Sequence, residues 1–256
     1  MSISQVRLLK QNVLEIRKAY FLKAFNREQE EMAIISFAGC NWNCPYCKRG
    51  CQYIDNNGNV IKQNTLKVSD LLKLIDDEVN KGRIIRLSGG DPSVFPKESL
   101  MIGKYVIEKY GKKISFAHNG SNFKFVEKMR PYIDYIAIDF KAFDKEKLQS
   151  ISGVKNPKMQ QKEILNFCRD NNILVDIRTP IFGDTKLNEL KSIANVIAEY
   201  KNAFWSLRKY NKVQGCDFKA CDIEYVSELA RKIKASYKDI KIGSRNYWKG
   251  GFEFYE

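Results

Sequence analysis

The stretch Gly39–Cys51, GCNWNCPYCKRGC, carries four cysteines at C-x3-C-x2-C-x3-C, far from the other three of the chain. Thiolates at this spacing suit Zn2+ or an iron–sulfur cluster. Structural zinc usually takes two cysteine pairs on separate knuckles, so one contiguous quartet favours a cluster. Two occupancies remain open. All four thiols can close a cluster, or Cys40, Cys44 and Cys47 can hold it alone and leave one iron for an outside ligand. An open metal position is what makes a structural centre reactive. A closed centre would make the chain a four-cysteine iron–sulfur electron carrier, and zinc would make it a structural zinc-binding module.

The elements around the loop predict where it sits. Residues 2–30 read as helical, with Leu9, Val13, Ile16, Tyr20 and Phe21 at helical spacing. The run MAIISFAG (32–39) reads as a buried strand ending in glycine and leading straight into the cysteines. Five further strands are expected at RIIRLSGG, ISFAHNG, YIAIDF, ILVDIRTPIF and AFWSLRKY, with helical segments between them and a last helix at DIEYVSELARKIKASY. Six strand–helix units in series imply parallel strands joined by right-handed crossovers. The expected fold is therefore α/β, a partial (βα)6 TIM-like barrel of parallel strands with terminal helical extensions. An open doubly wound sheet satisfies the same pattern. Its divisions are an N-terminal helical extension (1–31), a barrel core (32–210) and a C-terminal helix with a Tyr/Trp-rich tail (211–256). In either arrangement ligands gather at the C-terminal ends of the strands. That is where the polar stretches fall: the cysteine loop, SGGDP, HNGSN, DFK and RTP.

Bulk properties exclude several classes. The net charge is +14, from 44 Lys and Arg against 30 Asp and Glu, but the basic residues are interleaved with acids. That pattern reads as solvated lysine-rich faces and gives no reason to expect nucleic acid. No apolar run is long enough for a membrane span, and charges interrupt the N-terminal stretch every few residues, so a cytoplasmic protein is expected. Seven cysteines, odd in number and clustered, suggest metal or redox chemistry rather than disulfides.

Taken together, the quoted stretches resemble the radical S-adenosylmethionine (SAM) superfamily over about residues 32–210. C-x3-C-x2-C follows the first core strand, with Tyr46 before the last cysteine. SGGDP (Ser88–Pro92) matches the family's GGE/DP stretch, and HNG (His118–Gly120) its T-N-G. AIDFKAFDKEKLQSISGV resembles the D-x-K stretch and following T-G-V of glycyl-radical-enzyme activases, and RTPIF their R-x-P. Within that branch the stretches resemble the activating protein of anaerobic ribonucleoside-triphosphate reductase. The resemblance implies a [4Fe–4S] cluster on Cys40, Cys44 and Cys47 with SAM chelating the open iron. Reductive cleavage of SAM would give a 5′-deoxyadenosyl radical that abstracts hydrogen from a substrate at the barrel mouth. It also implies cofactor contacts from Tyr46, Gly89, Gly90, Asp91, Pro92, Asn119, Asp139, Lys141 and Arg178. Gly89 and Gly90 admit backbone close to the ligand. Asp91 would face the ammonium, and Lys141 the carboxylate or ribose. Asp139 resembles the carboxylate that activases place near a monovalent cation, although its expected partner acid is Ala117 here. His118, the only histidine, is a candidate donor at the mouth or a satisfied loop residue.

The implied substrate is a glycine of a partner glycyl-radical enzyme, with a flavodoxin or ferredoxin as external reductant. The alternative is a small molecule, as in carboxy-deazaguanine synthases, for which residues 2–30 and the aromatic tail NYWKGGFEFYE would supply a lid. On the three-ligand reading Cys51 is a spare thiol. Cys51, Cys216 and Cys221, with or without Cys168, are the candidate ligands of a second cluster, against the simpler reading of buried structural thiols.

Overall fold

The computed structural model describes residues 3–9, 14–47, 63–245 and 252–255. Its scaffold is a parallel sheet. β3 (Glu31–Phe37), β5 (Ile84–Gly89), β6 (Ile114–His118), β7 (Ile133–Asp139), β8 (Leu174–Ile181), β9 (Ala203–Lys209) and β10 (Lys241–Arg245) pair in that order, each parallel to the next. Helices α1 (Val68–Asn80), α2 (Pro96–Tyr110), α3 (Phe123–Met129), α4 (Lys145–Ser152), α5 (Gln161–Asp170), α6 (Leu187–Ile197) and α7 (Ile223–Ser236) fall between the strands. Leu71, Ile75 and Val79 recur one turn apart along α1 and are buried, as are Ile164 and Leu165 on α5 and Leu190, Ile193 and Ile197 on α6. These stripes meet the outward side chains of the sheet, among them Ile35, Leu87, Phe116, Val175 and Ile177, in one core.

Helix ends are set by local chemistry. Pro96 opens α2, and Gly111 closes it in the left-handed region at φ 62°. The carboxylate of Asp144 accepts from the Lys147 N–H at 2.7 Å to cap α4, which Gly153 ends at φ 67°.

The terminal segments depart from the helical extensions expected of the sequence. Residues 2–30 hold β1 (Gln5–Leu9), β2 (Leu14–Lys18) and a 3-10 turn (Tyr20–Phe25). β2 pairs antiparallel with β3, while β1 meets β3 at Leu8–Phe37 and pairs along its length with β4 (Gln63–Lys67). Val6 and Leu8 alternate into the core, a period of two that five residues are too few to distinguish from a helix. At the other edge β10 is a seventh parallel strand within the stretch expected to be tail, and β11 (Phe252–Tyr255) adds antiparallel to it. Both termini therefore extend the sheet itself. Among the described residues the pairing runs from β11 to β4 without closing.

Aromatic contacts span the gap between the edges. Tyr20 stacks on Phe252 at 6.1 Å, and the Arg245 guanidinium lies 5.8 Å from the Tyr20 ring. Phe21 and Leu22 of the 3-10 turn bury against Met32, Tyr135 and Phe204, near the N-terminal ends of their strands. The barrel thus has an apolar floor.

Candidate active site

The site is built from the loops that follow the strand ends and from inward side chains of the strands themselves. Along the strands, the side chains that face away from the helices line a cavity of about 600 Å³: Met32 and Ile34 on β3, Arg86 and Ser88 on β5, Asp176 and Arg178 on β8. Parallel sheets in α/β proteins normally bury apolar side chains on both faces. Here the inward face is largely polar, which is the structural mark of a working interior.

The cysteine loop is pinned to the end of β5 and to the C-terminal end of α4 by close backbone approach. Gly90 N–H donates to the Phe37 carbonyl at 2.8 Å, and Asp91 N–H donates to the Gly39 carbonyl. A Cβ on Gly90 would overlap that Gly39 carbonyl, and one on Gly89, whose φ is +94°, would lie 2.6 Å from the Phe37 backbone. Asn43 N–H donates to the Ser152 carbonyl at 2.9 Å, while Gly153 leaves room for the Asn43 backbone. The SGG and SISGV stretches are thus the two abutments of the loop.

Cys40, Cys44 and Cys47 all line the cavity beside Gly89 and Gly90. Donors already surround two of the sulfurs. Trp42 N–H lies 3.4 Å and Asn119 Nδ2 3.9 Å from Cys40 Sγ, and Lys141 Nζ lies 3.6 Å from Cys44 Sγ. Hydrogen bonds to cysteine sulfur are a main lever on cluster potential, so this donor set fits thiolate ligands of a cluster. Burial, with Asp91 adding its charge, pushes the free Cys40 thiol up to about 12, so a metal must displace its proton. Among the described residues no three His, Cys, Asp or Glu side chains converge on a single ion. The corners of a cluster stand further apart than that. Cys51 lies outside the described residues.

Asp91, expected to face the SAM ammonium, has another task. Its buried carboxylate accepts from Ser93 N–H at 2.9 Å, Asn119 N–H at 2.8 Å and His118 Nδ1 at 2.8 Å. Burial alone would raise its pKa, but His118 and the two N–H groups more than reverse this and hold it below the ordinary carboxylate range. His118 Nε2 in turn accepts from Asn122 N–H at 3.0 Å, which places the ring proton on Nδ1. Both ring nitrogens are engaged, so His118 is a satisfied loop residue rather than a proton donor at the mouth. Pro92 is buried at the start of a 3-10 turn (Pro92–Val94), where its carbonyl accepts from Ser99 Oγ at 3.0 Å. It shapes the turn and does not line the cavity.

Asn119 ties β6 to the cysteine loop. Its Nδ2 donates to Asn41 Oδ1 at 2.6 Å, and Asn41 donates to Ser121 Oγ at 2.8 Å. Asp139 pairs with Lys141 at 3.1 Å rather than with a second acid, and Ala117 stands on the neighbouring strand, so the monovalent-cation expectation gains nothing here. Lys141 Nζ also donates to Tyr46 Oη at 2.9 Å and lies 5.4 Å from the Trp42 ring. Burial works against the charge on Lys141, but Asp139, Tyr46 and Cys44 keep its pKa well above the ordinary value. Tyr46 packs edge-on to Phe182 at 5.4 Å and to Tyr210 and Phe218 at 6.1 Å each. Arg178, also expected to touch the ligand, donates from Nε to Asp176 at 2.7 Å.

Asn41, Arg86, Asp176, Arg208 and Arg245 were not anticipated. Asn41 directly follows Cys40 in the cysteine loop; for the strand residues the signal was polar or charged side chains at every second position, as in D-x-R (176–178), S-x-R (206–208) and K-x-G-x-R (241–245). As for the distant cysteines, Cys168 is fully buried on α5, Cys216 packs with Trp42 and Phe182, and Cys221 Sγ donates to the Ile181 carbonyl at 3.3 Å. Each of the three thus has its own packing environment, and no single metal ion is framed by them among the described residues.

Comparison with known proteins agrees with this geometry. The chain is 23% identical over 185 residues to an isethionate sulfite-lyase activating enzyme of Oleidesulfovibrio alaskensis, covering 70% of this chain and 59% of that one. It is 24% identical over 178 residues to a 7-carboxy-7-deazaguanine synthase of Methanocaldococcus jannaschii, covering 66% and 70%. Streptococcus suis SuiB bound to S-adenosylmethionine shares the fold at a TM-score of 0.66 and 14% identity, over 88% of this chain and 53% of that one. The chain thus spans little more than half the length of SuiB and of the activating enzyme. The family model for the radical SAM superfamily matches residues 34–197, from within β3 to the end of α6. This chain belongs to the radical SAM superfamily, whose enzymes work with a [4Fe–4S] cluster and S-adenosylmethionine.

Proposed function

We propose that this chain is a radical SAM oxidoreductase that abstracts hydrogen from a small molecule held inside the barrel. The carrying observation is the cavity itself. It runs from the cysteines to Phe21 and Phe252, lined by polar side chains and floored by the chain's own 3-10 turn. Bound together, the cluster and SAM supply one-electron chemistry that ends in hydrogen abstraction. The protein's part is placement. Cys40, Cys44 and Cys47 would hold the cluster, and the Gly89–Gly90 backbone would accept from the SAM ammonium. Lys141 would meet its carboxylate, while Tyr46 and its aromatic neighbours keep water from that wall. The electron would come from a flavodoxin or ferredoxin.

A glycyl-radical activase is the second reading. It is supported by the likeness to the isethionate sulfite-lyase activating enzyme and by the D-x-K and SISGV stretches. Such an enzyme, including the anaerobic ribonucleotide reductase type, would bring a glycine loop to the mouth and need no polar chamber beneath it. Electron paramagnetic resonance of the anaerobically reconstituted, reduced protein tests the shared core. SAM should change the cluster signal in wild type and in Cys51→Ala alike. A signal blind to SAM in both would refute the radical SAM assignment of this site. SAM turnover stimulated by the small-molecule filtrate of a cell extract supports the first reading, and a glycyl radical raised on a purified partner enzyme supports the second.

A further inference from the structure

The chamber beneath the cysteines is strongly unbalanced in charge. Seven Lys and Arg side chains and three carboxylates line it. Asp91 is occupied by His118 and two backbone N–H groups, and Asp139 by Lys141. That leaves Asp176 facing several guanidiniums. It accepts from Arg178 Nε at 2.7 Å, from Ser206 Oγ at 2.7 Å and from Arg208 Nη2 at 3.5 Å, and it also feels the charge of Arg86.

Arg86 is the telling residue. It stands in the middle of β5, 2% exposed, with its side chain in the chamber. Its Nη1 has only the Met32 thioether sulfur, at 3.4 Å, and its buried Nη2 has no hydrogen-bond partner. A buried guanidinium without an acceptor is costly, and nothing in the fold requires one at this position. Burial, with the nearby Arg178 charge, pulls its pKa down to about 9, against the opposing pull of Asp176. Its terminal nitrogens form the fork that receives two oxygens of one oxyanion side by side.

We propose that the substrate is a small molecule bearing a carboxylate or phosphate, and that this oxyanion is received inside the barrel by Arg86 with Arg178 and Arg208 beside it. The site is separate from the one assigned to the SAM carboxylate at Lys141. Register places the row: Arg178, Ser206 and Gly243 are paired neighbours on β8, β9 and β10, and the Phe204 and Phe252 rings fill the space over the glycine, closing that end of the row. Arg208 and Arg245 pair in the next row toward the cysteines.

The test is calorimetric titration of inorganic phosphate, and separately of glutarate, into anaerobically reconstituted protein before SAM is added, with SAM affinity read in a separate titration. At least one should bind wild type, which of them showing the type of oxyanion. Arg86→Gln should weaken that binding tenfold or more, with SAM affinity unchanged within twofold. Failure of both anions to bind wild type, or unchanged binding in Arg86→Gln, would overturn the proposal. So would loss of SAM affinity in step with anion affinity, since Arg86 would then serve SAM. Arg86→Met guards against a folding artefact. It should melt no lower than wild type without anion and lose the rise in melting temperature that the anion gives wild type. A large drop in its melting temperature would make Arg86 structural and overturn the proposal. The inference rests on the small-molecule reading, but the two fail separately. Small-molecule turnover without anion binding removes the anion site alone. Anion binding in a chain that raises a glycyl radical on a partner enzyme removes the small-molecule reading and leaves the site.

Discussion

Replacing Asp91 by asparagine tests the central joint of the site. The carboxylate takes N–H groups from Ser93 and Asn119 on its two oxygens, with the His118 Nδ1 proton shared between them at 2.8 and 2.9 Å. An amide offers one oxygen and one NH2, so whichever way it turns, a backbone N–H meets a donor. His118 cannot adapt by moving its proton to Nε2, because Asn122 N–H points at that nitrogen from 3.0 Å. One buried donor left unsatisfied costs about 1–3 kcal/mol, and the remaining bonds lose their charge assistance, so Asp91→Asn should cost roughly 3 kcal/mol. Asp91→Ala strands all three donors and should cost about 4–6 kcal/mol. Against a typical domain stability of about 5–15 kcal/mol, the asparagine variant still folds. Urea unfolding of the metal-free chain at neutral pH reads both values. The sign with pH is fixed as well. Asp91 has a lowered carboxyl pKa in the folded state, so its stabilisation is fully present above the unfolded value, near about 4, and is lost as pH falls through the folded value. The gap between wild type and Asp91→Asn should therefore narrow in acid. An asparagine variant within about 1 kcal/mol of wild type at neutral pH, or a gap that widens in acid, would refute this account of the joint.

Other outcomes follow from the same geometry. Gly90→Ala puts a methyl group into the Gly39 carbonyl and should cut iron per protein several-fold after reconstitution, with the fold retained by circular dichroism. Single alanine replacements at Cys40, Cys44 or Cys47 should abolish the iron–sulfur absorbance, whereas Cys51→Ala should keep it; equal loss at Cys51 would mean a four-thiol centre. Lys141→Ala removes the buried ammonium beside Tyr46 and Asp139 and should weaken SAM binding about tenfold, or ~1.4 kcal/mol, with iron content intact. Equilibrium dialysis with labelled SAM measures it, and unchanged affinity would take Lys141 out of the SAM site.

The strand-end positions were legible in the sequence because glycine and proline punctuate them and because β3, β7 and β8 are apolar enough to stand out. The cysteine loop and the two glycines after β5 were legible from spacing. What escaped was of two kinds. β1, β2 and β10 are five-residue strands whose identity comes from their pairing partners, and tertiary pairing outweighs so short a local pattern. The interior cations escaped because Arg86, Arg208 and Arg245 read as surface residues until the strands on which they alternate curve round a common space. Asp91 was found, but its hold on β6 was not. Its partners sit 27 and 28 residues away, and only the adjacency of β5 and β6 brings them to it.

Among the described residues Phe21 and Leu22 close the floor of the chamber, so on the proposed reading SAM, held at the cysteines, would lie above the substrate. A substrate seated below SAM must arrive first, and what becomes of it must wait for the cofactor's fragments to leave. Initial-rate kinetics should therefore show a compulsory order of addition, with SAM second.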